Sequence, residues 1–414
     1  MTSTNEPNTH GTAVVVGTGV GGVRTALGLR EEGFGGRIVL LGAESQLPYD
    51  RPPLSKQFLS GEWDAQRLSL LTESEAREAG VELRTGTAAR GLDVHGRHVL
   101  LDDGQSLAYD HCVIATGCRA RPSPWQVESG LHLIRELADS LALRGDLSAG
   151  GPVVIVGGGF IGMEAAATAV LLGLPVTVVD PDPMPLARSV GPEIAGLLTD
   201  IHTRHGVVTR FGVGVEDVRG RRGDLQVRLA DGTVLQAATV VVGIGVLPNV
   251  EWLAGSGLHV ADGVACDEYG RAVGAEGVHA VGDVARWRGP EDLDARRTEH
   301  WTNAVDQSAV VAHNIVHPDR PGRQDALPYV WSDQYDHKVQ VVGRPAGAAD
   351  CKVLDGPDGP RRRVAALYSD GAGTLVGVTA VNWPRVTVLA RKLLARRADI
   401  GEAVDEVHAL APPR

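Results

Sequence analysis

Cysteine is scarce in this 414-residue chain, and no two cysteines stand at the spacing that zinc binding or dithiol chemistry requires. The four cysteines form neither a C-x-x-C nor a C-x-x-x-x-C pair, which excludes a structural zinc site and a redox-active disulfide of that kind. Cys112 and Cys118 flank the apolar stretch 113–115, so we expect both to be small core residues. Any electron transfer would proceed without a dithiol relay, and we predict no metal site.

Long hydrophobic runs and an excess of positive charge are also lacking. No apolar run approaches the length of a membrane span, and residues 1–10 are polar without a basic-then-apolar signal pattern. We therefore predict a cytoplasmic protein with a frayed N-terminal arm. The net charge of −11 argues against nucleic acid as a partner. With 43% hydrophobic residues, the length suits two or three domains rather than one core.

Lysine is the third scarcity. Of the 40 basic residues only four are lysines, and Lys56 is the single lysine in the first 337 positions. It closes the rigid segment 48–56, which contains three prolines. A lysine kept where other basic positions are arginine indicates a need for a compact ammonium on a flexible stem. A surface lysine after a proline turn explains the same pattern, and the sequence leaves both interpretations open.

Two copies of one phosphate-binding motif lie ~140 residues apart. The first, at 17–22, follows the apolar run Thr12–Val16, and the second, at 157–162, follows Val153–Val156. Each is a strand, then G-x-G-x-x-G, then a helix-like stretch, at 23–31 and 163–172. The first glycine allows a tight turn, the second lets the backbone approach a pyrophosphate, and the third lets the helix pack closely. These are, in order, Gly17, Gly19 and Gly22, and Gly157, Gly159 and Gly162.

Each motif is followed, roughly 20 positions on, by an acidic residue, Glu44 in the first copy and Asp180 in the second. Such an acid accepts hydrogen bonds from the ribose of a bound adenosine. One motif alone is weak evidence, but two with strand, helix and acid predict two dinucleotide sites. Glu164 is expected in the first turn of the second helix, where the helix dipole favours an acid.

The organisation of the chain repeats as well. Apolar strands within 109–117 and 238–245 each close a unit, and hairpin-like segments at 99–104 and 227–233 lie inside the units. The strand before Asp283 is placed back in the first unit, which makes the second unit an insertion. From residue 327 the alternation of apolar and polar residues predicts a small α+β domain. The predicted domains are 1–118 with 246–326, then 119–245, then 327–414.

These motifs, together with Pro48–Lys56, Ala115–Gly117, Trp301–Ala304 and Trp331–Tyr335, resemble the oxygenase-coupled NADH-dependent ferredoxin reductases. The resemblance covers nearly the whole chain in order. It implies an α/β, glutathione-reductase-like fold. Two Rossmann-like domains bind FAD and NADH, the second inserted in the first, and a C-terminal α+β interface domain follows. It also implies a monomer.

The resemblance assigns roles to individual residues. FAD is expected in the first unit, with its pyrophosphate at the first glycine motif, its adenosine ribose at Glu44 and its ribitol at Asp283. Family positions that line FAD correspond to Arg51, Lys56, Ala89, Arg135 and Trp301. NADH is expected at the second unit, on Gly157, Gly159, Gly162, Asp180 and Gly245.

Three residues have implied roles in the reaction. Lys56 and Glu164 match a pair near the flavin N5, and Trp331 matches an aromatic residue beside the isoalloxazine ring. The alternative for Trp331 is core packing in the last domain. The implied activity is hydride transfer from NADH to FAD, followed by single-electron transfer past Trp331 to a [2Fe-2S] ferredoxin. That ferredoxin would supply a cytochrome monooxygenase or a Rieske oxygenase.

The sequence also bears on cofactor choice and on two other activities of the same fold. NADH is expected rather than NADPH, because Asp180 would repel a 2′-phosphate and residues 181–185 contain no arginine. An NADH oxidase or peroxidase is disfavoured, because no cysteine lies in residues 48–60. An NADH-binding redox sensor of the apoptosis-inducing-factor type stays open.

One departure from the family concerns docking. The helix predicted at 303–315 has no lysine or arginine that would attract an acidic ferredoxin. Basic residues lie instead at Arg296-Arg297, at 361–363 and at Arg391-Lys392. Each of these is either a docking patch or an ordinary solvated face.

Overall fold

The structure is a computed structural model that describes residues 10–288, 297–357 and 359–410. Residues 1–9 of the N-terminal arm predicted over 1–10 lie outside the described residues, as does Arg296. The strands are β1 (Thr12–Val16), β2 (Arg37–Leu41), β3 (Val81–Arg84), β4 (Ala89–Asp93), β5 (His98–Leu101), β6 (Ser106–Ala108), β7 (His111–Ile114), β8 (Cys118–Ala120), β9 (Leu131–His132), β10 (Val153–Val156), β11 (Val176–Asp180), β12 (Val208–Phe211), β13 (Val215–Arg221), β14 (Asp224–Leu229), β15 (Val234–Ala237), β16 (Thr239–Val242), β17 (Val246–Pro248), β18 (Val264–Cys266), β19 (Val278–Ala280), β20 (Ala285–Trp287), β21 (Tyr329–Gln334), β22 (His337–Gly343), β23 (Asp350–Asp355), β24 (Val364–Ser369) and β25 (Leu375–Val381).

Helices alternate with these strands. They are α1 (Val20–Glu31), α2 (Glu73–Glu78), α3 (Leu137–Ser148), α4 (Phe160–Leu171), α5 (Ala187–Val190), α6 (Pro192–Arg204), α7 (Trp301–Val316), α8 (Pro384–Ala395) and α9 (Ile400–Ala409). Short 3-10 helices lie at Pro52–Ser55, Gln66–Leu68, Glu251–Leu253 and Gly282–Val284. Among the described residues, no helix combines the length and apolar character that a bilayer span needs.

The first compact unit comprises the described parts of Met1–Arg51, Ala65–Arg119 and Val246–Ala326. Its main sheet has the order β19-β7-β1-β2-β3, and every neighbouring pair is parallel. The central strands are continuous Val, Ile, Leu and Ala runs because both faces of the sheet are buried. A small antiparallel sheet, β4-β5-β6, accompanies it. The pairing of β19 with β7 confirms that the strand before Asp283 returns to the first unit.

Helices α1 and α7 pack closely and run in the same direction within this unit. Gly21 faces Ala304, and Gly28 faces Ala312, so small residues line the contact along its length. Ser308 Oγ donates a hydrogen bond to the Gly21 carbonyl oxygen across it (2.8 Å). Since the helices are parallel, their N-terminal ends lie at one end of the pair and their C-terminal ends at the other.

The second compact unit comprises Pro52–Asp64, Ala120–Gly245 and the described part of Leu327–Arg414. It contains a parallel sheet of order β12-β11-β10-β16-β9 with the antiparallel excursion β13-β14-β15. It also contains an antiparallel sheet of order β21-β22-β25-β24-β23. Helices α5 and α6 cover one face of that last sheet, while α8 and α9 cover the other.

The element predictions hold with one systematic difference. The strands predicted before each glycine motif, 12–16 and 153–156, match β1 and β10. Both following helices begin three residues earlier than predicted, because the third glycine packs inside the helix rather than before it. Glu164 is therefore the fifth residue of α4, and its expected place in the first turn is wrong. The three predicted domain boundaries stay predictions.

Gly28→Val is expected to destabilise the first unit. A Cβ on Gly28 would lie only 3.1 Å from the Ala312 Cβ, so a larger side chain forces α1 away from α7. Overpacking of this kind costs about 1–3 kcal/mol. Thermal unfolding followed by circular dichroism measures the effect. Gly145→Val in α3 is the matched control, because open space surrounds that exposed helical glycine. Equal midpoints for the two variants would contradict the close helix contact.

Candidate functional site

The first glycine loop joins β1 to α1 at the carboxyl edge of the parallel sheet. Gly17 has φ +119°, and a Cβ there would lie 2.2 Å from the Ala115 carbonyl oxygen. A Cβ on Gly22 would lie 1.7 Å from the Gly17 carbonyl oxygen. A Cβ on Gly19, the N-cap of α1, would come within 4 Å only of the Arg51 side chain among the described residues. The space before the helix N-terminus is thus open, as a pyrophosphate requires.

Glu44 and Arg51 lie beside this opening. The Glu44 carboxylate accepts hydrogen bonds from the Tyr49 hydroxyl and from Arg51 Nη2, the latter at 2.7 Å. Arg51 Nε is buried and has no hydrogen-bond partner within the described part of the chain. A buried guanidinium nitrogen that lacks an acceptor, next to the Gly19 opening, fits an anionic ligand such as a phosphate.

Two more predicted FAD residues belong to the same unit. Asp283 follows β19 in the short helix Gly282–Val284, whose first amide donates to Gln307 Oε1 (2.8 Å). Trp301 is the first residue of α7, and its indole nitrogen donates to Asp50 Oδ1 (2.8 Å). Because parallel strands end at one edge, Asp283, Gly17 and Glu44 all follow strands at that edge.

The remaining predicted FAD residues are divided between the units. Ala89 begins β4 of the first unit. Lys56 and Arg135 belong to the second unit, where the Arg135 amide donates to Asp139 Oδ2 (3.0 Å) just before α3. The contacts of all these residues with FAD stay predictions.

The second glycine loop repeats the geometry of the first. Gly157 has φ +108°, and a Cβ there would lie 2.2 Å from the Gly243 carbonyl oxygen. A Cβ on Gly162 would lie 2.0 Å from the Gly157 carbonyl oxygen. No atom of the described chain lies within 4 Å of a Cβ built on Gly159 or on Gly245. The first and third glycines are required by sterics, and the second faces open space.

Asp180 ends β11 and shapes the second loop directly. Its Oδ2 accepts from the Gly158 amide (2.7 Å) and its Oδ1 from the Asp182 amide (2.8 Å). The carboxylate therefore holds the loop in place, and its contact with a ribose stays a prediction. The fold also brings in Arg188, whose Nη2 lies 3.8 Å from Asp182 Oδ2. The absence of arginine from residues 181–185 did not reveal this nearby cation.

Lys56 and Glu164 form a buried ion pair inside the second unit. Lys56 Nζ lies 3.0 Å from Glu164 Oε1, and the two side chains are 11% and 6% exposed. The interpretation of Lys56 as a surface lysine is therefore wrong. Ser55 Oγ donates to Glu164 Oε2 (2.5 Å), and Ser332 Oγ donates to Oε1 (2.7 Å). A carboxylate this deeply buried stays charged only with such donors around it.

A chain of hydrogen bonds leads away from Glu164, and the carboxylate sets the direction of every bond. Because the Ser332 hydroxyl donates to Glu164, its oxygen accepts from Gln334 Nε2 (3.1 Å). Gln334 Oε1 then accepts from His202 Nε2 (2.9 Å), and His202 Nδ1 accepts from the Tyr335 hydroxyl (3.1 Å). All donors point towards the carboxylate, so the network is rigid and polarised.

Burial lowers the pKa of His202 from its ordinary 6.5 to about 4. The imidazole is therefore neutral at pH 7, with one donor and one acceptor nitrogen, as the hydrogen-bond chain requires. Sequence analysis missed His202, Ser55 and the role of Ser332. Ser55 and Ser332 each adjoin a residue that the sequence singled out, whereas a lone histidine on the buried face of α6 carries no signal of its own.

Trp331 lies on the other face of the strand that holds Ser332. Residues alternate along β21, so Ser332 and Gln334 face Glu164 and His202 while Trp331 and Tyr329 share the face that α8 covers. The Trp331 ring is half-buried and stacks on the Tyr329 ring, with centroids 6.1 Å apart. Trp331 is thus not a core residue.

The basic candidates for docking separate into three kinds. Arg297 is 9% exposed and paired with Asp262 Oδ1 (2.9 Å) and Glu299 Oε1 (2.7 Å), so it is neither a docking residue nor a solvated one. Arg361 and Arg362 are each paired with a nearby aspartate. Arg391 of α8 lies over the Tyr329 ring, 4.8 Å from its centroid, beside Trp331.

The cysteine predictions hold. Cys112 and Cys118 are both buried, and burial raises the pKa of the Cys112 thiol to about 12. None of the four cysteines forms a disulfide within the described part of the chain. A buried, protonated thiol does not act as a nucleophile or an electron relay.

Comparison with known proteins identifies the class to which this architecture belongs. Residues 11–308 match the pyridine nucleotide-disulphide oxidoreductase model, and residues 329–410 match the reductase C-terminal model. The chain is 36% identical to rhodocoxin reductase of Rhodococcus erythropolis, covering 92% of this chain and 89% of that protein. It is also 36% identical to the ferredoxin–NAD(+) reductase component of the p-cumate 2,3-dioxygenase system of Pseudomonas putida, with 94% of each chain covered.

A solved structure agrees with these matches. A chain of the covalent putidaredoxin reductase–putidaredoxin complex is similar to this one with a TM-score of 0.87 and 30% identity, covering 96% of this chain and 99% of that chain. The family resemblance and the α/β fold class predicted from the sequence are both confirmed.

Acidification from pH 7 to pH 5 is expected to destabilise the wild-type protein more than a His202→Gln variant. The folded-state pKa of His202 is about 4, below the unfolded value of 6.5, so the unfolded chain binds more protons and stability falls as pH falls. The extra loss is about 2 kcal/mol at pH 5. Urea unfolding at the two pH values measures it. His279, also buried, contributes equally to both proteins. Equal losses would contradict a neutral buried imidazole.

Proposed function

This chain belongs to the pyridine nucleotide-disulphide oxidoreductase family, and we propose that it is an NADH-dependent ferredoxin reductase with FAD as its cofactor. The proposed reaction is hydride transfer from NADH to FAD, then transfer of single electrons to a [2Fe-2S] ferredoxin. That ferredoxin would supply a cytochrome monooxygenase or a Rieske oxygenase. A relative from a dioxygenase system that is by name a ferredoxin–NAD(+) reductase component supports this.

The observation that carries the proposal is the pair of glycine loops. In each loop the first and third glycines are enforced by contacts of 2.2 Å or less to backbone oxygens. The second glycine lies at a helix N-terminus, where a Cβ would meet only the Arg51 side chain in the first loop and no described atom within 4 Å in the second. Two such loops in one chain suit two dinucleotides rather than one. The absence of an accessible dithiol excludes the disulfide route that many enzymes with two such loops use.

FAD supplies the chemistry that joins a two-electron donor to a one-electron acceptor. The residues of the first unit bind it: the Gly19 loop and Arg51 hold its phosphates, Glu44 its adenosine ribose and Asp283 its ribitol. In the second unit, the Gly159 loop and Asp180 hold NADH. These assignments rest on the open loops and on the unpaired Arg51 Nε.

Lys56 and Glu164 act at the start of α4, close to the second loop. Lys56 would supply a localised positive charge that stabilises the negative charge gained by a flavin when it accepts a hydride. Glu164 holds the Lys56 ammonium in one position, because its own carboxylate is fixed by Ser55 and Ser332. A charge held in place before the reaction needs no reorganisation during it.

The face of α8 is the proposed docking surface for ferredoxin. Residues 384–395 contain no acid, and Arg385, Arg391 and Lys392 are exposed. Arg391 lies over the Tyr329 ring, which stacks on Trp331. Val388, 62% exposed, adds an apolar contact among these charges. A basic surface with an apolar centre attracts an acidic partner and releases it readily. Trp331 would give the electrons a path at this surface.

NADH-driven reduction of cytochrome c by the FAD-loaded protein, with and without a [2Fe-2S] ferredoxin, tests the proposed function. A rate that rises and saturates with ferredoxin is the expected result. If NADH bleaches the flavin but ferredoxin leaves the rate unchanged, the ferredoxin reductase assignment is wrong. Rapid oxygen consumption would then indicate an oxidase, and a long-lived charge-transfer complex would indicate a redox sensor.

Asp180→Ala combined with Pro181→Arg is expected to shift the cofactor preference towards NADPH. The change removes a carboxylate that repels a 2′-phosphate and adds a guanidinium at an exposed neighbouring position. Initial rates with each nucleotide give the ratio of kcat/KM values, which should change by at least about tenfold, since one charge contact is worth roughly 1.4 kcal/mol or more. Asp182→Ala is the control. An unchanged ratio in the double variant would refute the role of Asp180.

Arg391→Glu is expected to raise the KM for ferredoxin while leaving the rate of flavin reduction by NADH unchanged. Reversing a charge at the rim of an interface slows association and weakens its dependence on salt. Arg204→Glu is matched in charge, because Arg204 is exposed on α6, which packs on the opposite face of the C-terminal sheet. Equal KM values for both variants would exclude α8 as the docking surface.

A further inference from the structure

Three side chains meet at the C-terminal ends of α1 and α7, away from the glycine loop. Glu32 follows α1, while His313 and His317 lie one turn apart at the end of α7. Glu32 Oε2 lies 3.1 Å from His313 Nδ1 and 3.1 Å from His317 Nε2. All three ligand atoms lie within 4.8 Å of one another. The cluster is half-buried, with His317 the least exposed.

The hydrogen bond of His313 Nε2 determines which nitrogen of this imidazole can bind a cation. His313 Nε2 lies 3.1 Å from the Arg320 carbonyl oxygen, which can only accept, so Nε2 carries a proton. In a neutral His313, Nδ1 then carries a lone pair and no proton. It lies 3.1 Å from Glu32 Oε2, which in a carboxylate also carries no proton. Two lone pairs at this distance repel unless a proton or a metal cation lies between them. A metal-ligating histidine commonly donates its other nitrogen to a backbone carbonyl in this way.

The geometry suits a small divalent ion. Ligands ~2.0–2.1 Å from a tetrahedral zinc are ~3.3 Å apart, close to the two 3.1 Å separations found here. The C-terminal ends of two parallel helices converge on the cluster, and their partial negative charge favours a cation. Two imidazoles exclude Mg²⁺ and Ca²⁺, which take oxygen ligands.

We propose that Glu32, His313 and His317 bind one zinc ion, with water as the fourth ligand, and that the ion clamps α1 to α7. The sequence predicted no metal site, because the cysteines lack zinc-binding spacing and Glu32 lies 281 positions from His313. The clamp would join the C-terminal ends of two helices whose N-terminal ends carry Gly19 and Trp301. Binding requires both histidines to be deprotonated, so affinity rises with pH.

Zinc titration of the untagged, chelator-treated, FAD-loaded protein tests this proposal by calorimetry at pH 7.5. One zinc per chain and a raised thermal midpoint are expected for the wild type. His317→Ala should lower the affinity at least about tenfold, as loss of a ligand costs no less than loss of a supporting residue. His95→Ala is the control, since His95 is an exposed histidine of the same unit outside the cluster.

Thermal unfolding in the presence of chelator shows whether a variant folds when no metal is bound. With chelator present, the thermal midpoints of wild type and His317→Ala should agree, and if His317→Ala fails to fold, Glu32→Gln replaces it. Equal zinc affinities for wild type and the cluster variant would overturn the proposal, as would the absence of zinc binding at micromolar concentration. Either result would leave the cluster as two histidines in contact with Glu32 and without a metal ion.

Discussion

The burial of one carboxylate organises much of the second unit. Glu164 is 6% exposed on its side chain, and its charge is compensated by Lys56, Ser55 and Ser332. A charge buried without such partners would cost several kcal/mol, so the segments that supply the donors must stay where they are. Those segments are the proline-rich stretch 52–64 and the edge strand β21, which are far apart in sequence from α4 and from each other.

Further contacts hold the proline-rich stretch in place. The Leu54 carbonyl oxygen accepts from Ser140 Oγ (2.7 Å), and the Ser55 carbonyl oxygen accepts from Thr168 Oγ1 (2.9 Å). Both bonds are buried and join the stretch to α3 and α4. This explains why residues 52–64 belong to the second unit, although in the chain they lie between two segments of the first unit. Fixing Ser332 also fixes the alternation of β21, which turns Trp331 towards α8.

The two glycine loops share one backbone geometry but have different neighbouring residues. In both, backbone oxygens exclude a side chain at the first and third glycines. Around the first loop lie Arg51 and a second helix, α7, packed through small residues against α1. Around the second loop, Asp180 is bonded to the loop amide itself. The shared geometry accepts a pyrophosphate, and these neighbours distinguish the two sites.

The sequence by itself determined the two glycine loops, β1 and β10, because turns and buried strands depend on residues close together in the chain. It also predicted the return of β19, because the repeat of the two units left an apolar strand before Asp283. It also singled out Lys56, since composition made that residue unusual. Only the tertiary structure decided that Lys56 is buried, that Arg297 is inside rather than on a docking face, and that His202 belongs to a polar chain from Glu164. Only the tertiary structure showed that Glu32 contacts His313. Most of these contacts join residues more than a hundred positions apart. No local pattern records which distant donor will reach a buried charge.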